Sequence, residues 1–116
     1  MLRLVTVSKS YPRHHALRNI SFELQQGEMA FLTGHSGAGK STLLKLLLMT
    51  EQPTAGQIFI HNRLCHRLSP RHITALRRDI GMIFQDPQLI PHRTIFENIA
   101  LPLFISGYRM AEIKRR

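Results

Sequence analysis

The sequence predicts an α/β fold in which a parallel core sheet surrounds one buried helix and carries an antiparallel β layer. Three observations support this. Gly34-His35-Ser36-Gly37-Ala38-Gly39-Lys40-Ser41 reads G-x-x-x-x-G-K-S, a loop whose inward N–H groups cradle phosphate. The apolar run Met29-Ala30-Phe31-Leu32 precedes it, and Thr42-Leu43-Leu44-Lys45-Leu46-Leu47-Leu48-Met49 follows. These suit a buried strand and a buried helix with its N-terminus at the phosphates. Upstream lie two β-rich segments joined by a short loop, as in an antiparallel pair.

In chain order, Leu2-Arg3-Leu4-Val5-Thr6-Val7 is β-branched and partly alternating and reads as a strand. Residues 8–13, with Tyr11-Pro12, read as a loop, and residues 16–24 as a second strand. Gln25-Gln26-Gly27-Glu28 is a turn with Gly27 at positive φ. The strand entering the glycine-rich loop is apolar on both faces, as a central parallel strand is. The helix after the loop spans residues 41–49. Pro53-Thr54-Ala55-Gly56 breaks the chain, and Gln57-Ile58-Phe59-Ile60 adds a strand to the β layer. Ser69 and Pro70 open a helix to about Arg78, with Ile73 and Leu76 on its buried side. Ile80-Gly81-Met82-Ile83-Phe84 is expected as another buried strand ending in Gln85-Asp86-Pro87. Thr94-Ile95-Phe96-Glu97 is a capping box that opens a short helix through Ala100, before Pro102. From Met110 to Arg116 a last helix begins without a C-cap, so the sequence is expected to be the N-terminal part of a longer protein. No repeat, low-complexity tract or dividing linker is evident.

The chain has 116 residues, 43% of them apolar, which is enough for a core. Its formal charge of +9 would suit nucleic acid or an anionic surface. The basic residues are spread out, however, and concentrate only at Arg63, Arg67, Arg71, Arg77 and Arg78 and at Lys114-Arg115-Arg116. They read as a solvated face, and no nucleic-acid partner is expected. The stretch 63–78 has no role assigned by sequence. Cys65 is the only cysteine, which excludes an internal disulfide and fits a reducing cytosol. The seven histidines show no zinc-ligand spacing. No apolar run approaches the ~20 residues of a membrane span, and the N-terminus lacks a signal-peptide h-region.

Within the loop the residue types have separate jobs. The glycines permit tight curling, Lys40 brings a compact charge to the β/γ-phosphates, and the Ser41 hydroxyl can ligate Mg²⁺. His35, Ser36 and Ala38 contribute backbone N–H groups. Thr42 offers a hydroxyl near the α-phosphate or caps the helix.

Tyr11 lies 23 residues before Gly34, and Gln85 lies 45 residues after Lys40. With the loop and the Gly27-Glu28 entry, this arrangement resembles the ATP-binding subunit of ABC transporters. The resemblance covers nearly the whole chain as a partial domain, residues 1–116. It implies that Tyr11 stacks on adenine and that Gln85 reaches Mg²⁺ and the attacking water. MgATP is the implied ligand. Residues 27–46 and Ile80-Gly81-Met82-Ile83-Phe84-Gln85-Asp86 are similar to the bacterial cell-division branch, the FtsE type. Methionine importers and lipoprotein-releasing ATPases have similar text at residues 93–103. The branch implies a homodimer, an integral-membrane division subunit contacted between Gln85 and Tyr108, and a place on the cytoplasmic face of the inner membrane. The family's Leu-Ser-Gly-Gly-Gln motif, catalytic glutamate and switch histidine have no match here, so the chain alone is not expected to hydrolyse ATP. A small P-loop kinase and a basic nucleic-acid-binding module are the alternatives from other classes. The first lacks an acceptor site and the second lacks a stacking platform.

Overall fold

A four-stranded antiparallel sheet organises the first of the two units into which the chain divides, Met1–Asp79 and Ile80–Arg116. The computed structural model describes residues 1–86 and 88–116. Pro87, placed by the sequence at a strand end, lies outside the described residues.

In the first unit β1 (Leu2–Tyr11) pairs on one edge with β2 (His14–Leu24) and on the other with β3 (Ala55–Ile60). The two-residue β4 (Arg63–Leu64) completes the order β2-β1-β3-β4. The loop expected over residues 8–13 is mostly strand. Ser10 opposes His15 and Tyr11 opposes His14, leaving Pro12 and Arg13 as the hairpin tip. Cross-strand partners decide this. The Ser10 hydroxyl lies 2.7 Å from His15 Nδ1, and the Ser10 N–H donates to Thr54 Oγ1 at 3.0 Å. Local turn chemistry cannot report such partners.

The ladder shifts register between Leu4 and Val7 and again between Val7 and Lys9. There Thr6 takes φ 47° and Asn19 φ 48°, and their N–H groups donate to the hydroxyls of Ser21 and Ser8 at 2.8 and 2.9 Å. These bulges bend the sheet while leaving the unpaired amides satisfied. Gly56 faces the bulge at φ 85°, where a Cβ would collide with the Thr6 carbonyl. Only glycine fits that approach.

The strands bury Leu4, Val7, Leu17, Ile58 and Ile60, and α1 (Lys40–Leu47) buries Leu43 and Leu46. Cys65, in the 3₁₀ turn Cys65–Arg67, and Leu76 of α2 (Pro70–Arg78) are also buried. Helix α2 begins at Pro70 as expected. Its Ser69 hydroxyl engages His72 Nδ1 at 2.7 Å and makes no cap bond to the backbone.

Residues 29–33 form no strand among the described residues, and Met29 and Phe31 are exposed. Residues 80–84 of the second unit likewise form none, and Ile83 is 96% exposed. The expected parallel core sheet is therefore absent from the described residues. A run apolar on both faces becomes a strand only when neighbours supply ladder partners on its edges. No such pairing occurs here among the described residues.

In the second unit α3 (Ile95–Ile105) opens at the Thr94 capping box: the Glu97 N–H donates to Thr94 Oγ1 at 3.2 Å, and the Thr94 N–H to Glu97 Oε2 at 2.8 Å. The helix continues past Ala100 and carries Pro102 internally, against expectation. The amide that proline lacks would have faced Asn98, and the helix then runs on to a normal close. Tyr108 N–H bonds Leu103 O at 3.1 Å and Gly107 N–H bonds Phe104 O at 3.0 Å, with Gly107 at φ 85°. This is a Schellman ending. Helix α4 (Met110–Arg115) follows and buries Ile113.

Candidate functional site

The glycine-rich loop rises directly into α1. Gly37 and Gly39 adopt φ 81° and 91°, a left-handed conformation that costs residues with a Cβ about 1–2 kcal/mol each. Gly39 is also the N-cap of α1, and a Cβ there would strike the Ala16 carbonyl and Leu17 of β2. The loop is thus seated on the sheet at a point where only glycine fits.

Lys40, the first residue of α1, turns its ammonium back across the loop. Its Nζ donates to Gly34 O at 2.6 Å and His35 O at 2.7 Å. The cation is held over the loop by neutral acceptors, which an anionic oxygen would outcompete. Residues 34–38 are exposed, and His35 Nδ1 lies 2.8 Å from Ser36 O. Ser41 is exposed on the first turn, and its hydroxyl has no hydrogen-bond partner among the described residues. Thr42 follows, half-buried. Helix N-terminus, glycine-rich backbone, one ammonium and one exposed hydroxyl are together donors of the kind that suit an anionic oxygen.

Helix α1 is fixed at its far end too. Met49 N–H bonds Leu46 O and Thr50 N–H bonds Lys45 O, both at 3.0 Å. Arg77 of α2 donates from Nε to Leu48 O and from its terminal nitrogen to Met49 O, both at 2.7 Å. A guanidinium fork here satisfies end carbonyls and complements the negative helix terminus. Sequence showed Arg77 only as part of a basic run.

Tyr11 ends β1, half-buried, and lines an open concavity with Pro12, Arg13 and His14. Its ring stacks on His14 at 5.1 Å between centroids. Its hydroxyl donates to Glu51 Oε2 at 2.6 Å. That hydrogen bond, helped by Lys9 and Lys45, holds the Glu51 carboxyl below its ordinary range. Glu51 went unnoticed in the sequence, and His14 was read there only as one of the surface histidines without zinc-ligand spacing. Residues 40 positions apart in sequence meet only through the fold, so no local pattern could have revealed Glu51.

Gln85 lies in the second unit, exposed, in a bend. Among the described residues no helix is long and apolar enough to cross a membrane.

The ABC transporter family pattern matches residues 17–116, from the middle of β2 through α4. The chain belongs to the ABC transporter family. Among curated proteins it is 51% identical to the cell division ATP-binding protein FtsE of Escherichia coli K12, aligned over 100% of this chain and 53% of the relative. The FtsE of Haemophilus influenzae is 46% identical, and the methionine import ATP-binding protein MetN of Clostridioides difficile 39%. The chain thus spans about half the length of its FtsE relatives. Among solved structures, the dimeric ABC transporter cassette MJ0796 superposes with a TM-score of 0.88 at 36% identity, covering 99% of this chain and 53% of that one. A post-hydrolysis state of MJ0796 bound to ADP and Pi matches equally well.

Proposed function

We propose that this chain is the nucleotide-holding N-terminal part of an FtsE-like ABC ATPase subunit that binds MgATP and acts with a membrane partner in bacterial cell division. The observation that carries the reading is the loop: glycines at positive φ seated on β2, with Lys40 folded over the Gly34 and His35 carbonyls. Gly34, His35, Ser36, Gly37, Ala38 and Gly39 offer backbone to the phosphates, and Lys40 exchanges its carbonyl partners for phosphate oxygens. Thr42 adds a hydroxyl beside them. Ser41 would offer its hydroxyl to Mg²⁺, and the family likeness gives Gln85 the role of a Mg²⁺ ligand that would also orient the attacking water. The cation, when bound, neutralises charge on the β- and γ-phosphates. Tyr11 stacks on the base.

The family likeness supports a dimer, as in the MJ0796 cassette, with the partner chain completing each ATP site. The FtsE likeness supports a division-complex membrane subunit as partner, contacted between Gln85 and Tyr108, and a peripheral place on the cytoplasmic face of the inner membrane. Identity to FtsE of 51% against 39% for MetN favours division over methionine import.

Titration of submicromolar protein with a fluorescent ATP analogue tests the reading. Removing one charge-assisted contact of about 1.5–3 kcal/mol predicts a roughly 10–100-fold weaker affinity for Lys40→Ala. Equal affinity in both proteins would overturn the assignment.

A further inference from the structure

Tyr11 is held by a carboxylate that also grips the helix rising from the loop. Glu51 Oε2 accepts from the Tyr11 hydroxyl at 2.6 Å and lies 3.2 Å from Lys9 Nζ. Glu51 Oε1 lies 3.4 Å from the ammonium of Lys45, in the last turn of α1. Lys9 Nζ also donates to Gln52 O at 2.8 Å and stands 5.1 Å from the centroid of the Tyr11 ring. One carboxylate therefore joins the end of β1 to the helix whose first residue, Lys40, spans the loop. Every member lies in the first unit, and the four side chains come from three segments of the chain.

A stacking tyrosine works best when its ring is already fixed, because ordering a mobile side chain on binding subtracts from affinity. Without Glu51 the ring at the edge of the hairpin would keep no hydroxyl anchor. We propose that Glu51 is the positioning residue of the nucleobase subsite: it orients Tyr11 and, through Lys45, ties that ring to the phosphate-binding helix. The proposal rests on the MgATP reading above. A consequence is that Tyr11→Phe, silent if stacking alone mattered, behaves like loss of Glu51.

The test uses two probes on the purified chain, MgATP and magnesium tripolyphosphate, which lacks a base. Glu51→Ala and Tyr11→Phe should each weaken MgATP about 2- to 10-fold, the cost of one newly mobile side chain, and leave tripolyphosphate unchanged. The double variant should be no weaker than either single one. Glu51→Gln keeps an acceptor oxygen for Tyr11 but no charge for the lysines, so it should fall between Glu51→Ala and wild type while retaining the wild-type circular dichroism spectrum. Equal losses for both probes would mean a general structural role and overturn the inference, as would additive losses in the double variant. MgATP affinity that responds to Lys40→Ala but not to Glu51→Ala overturns this inference alone. Affinity indifferent to Lys40→Ala overturns the nucleotide reading and the inference with it.

Discussion

Single residues set the sharpest constraints. Gly39 carries both a left-handed φ of 91° and a Cβ-free approach to the Ala16 carbonyl. Gly39→Ala must either lift the loop from β2 or strain it, so about 1–3 kcal/mol of stability and at least tenfold in nucleotide affinity should go together. A thermal melt and a titration on the same sample check this, and an unchanged Tm with unchanged affinity would contradict the geometry. The carboxylates make a second residue-level case. The Tyr11 hydroxyl, with Lys9 and Lys45 behind it, lowers the Glu51 pKa from its ordinary 4.5, and the Thr94 amide and hydroxyl lower that of Glu97. A carboxyl whose pKa falls on folding stabilises the native state above the unfolded value and loses that contribution as pH drops through the folded one. The stability difference between wild type and Glu51→Gln, or Glu97→Gln, should be full at neutral pH and shrink steadily below pH 4.5. Melts across pH 7 to 3 read it directly.

At the scale of elements, α1 is held at both ends by parts of the first unit distant in sequence. Its start is pinned by Gly39 against β2, and its end by the Arg77 fork on the Leu48 and Met49 carbonyls. Arg77 is exposed, so Arg77→Ala should cost only about 1 kcal/mol. Arg77→Lys should recover less than half, since an ammonium cannot span two carbonyls as a fork does. Chemical denaturation of the three proteins measures both steps. The α3 start is legible without its neighbours: Thr94-Ile95-Phe96-Glu97 predicts a capping box, and the box forms with both reciprocal bonds. Its end was not legible. Pro102 argues for a stop, yet the Gly107 Schellman closure lies beyond it and terminates the helix there. A proline removes one amide and strains one turn, whereas a well-formed closure can outweigh that loss.

For the whole molecule the decisive quantity is apolar surface without cover. Met29, Phe31, Ile83, Leu89, Ile95 and Ile99 are each at least 66% exposed, and residues 29–33 and 80–84 carry backbone groups with no ladder partner among the described residues. Unpaired extended edges and large apolar patches drive association. The isolated chain should elute early from gel filtration at micromolar concentration and bind a hydrophobic dye. A monodisperse monomer with a cooperative transition would contradict this. The purified chain should also show no steady ATP turnover, because the proposed hold on phosphate and Mg²⁺ would leave most of the barrier in place without a base for the attacking water. Turnover abolished by Lys40→Ala would reveal a base on this chain.

Local chemistry by itself determined the loop, the start of α2, the Thr94 cap and the Gly27 turn at φ 84°. In each the deciding interactions lie within a few residues, so spacing and residue type suffice. The same reading carried the family, through the contiguous motif at residues 34–41 and its spacing from Tyr11 and Gln85. Only the tertiary structure decided that β1 runs on to Tyr11, that Gly39 must lack a side chain because of Ala16, and that Glu51 anchors Tyr11. It also decided that apolar runs at 29–33 and 80–84, strands by composition, form no strand among the described residues. Hydrophobicity marks a segment that can be buried, but a strand exists only where another backbone meets its hydrogen bonds.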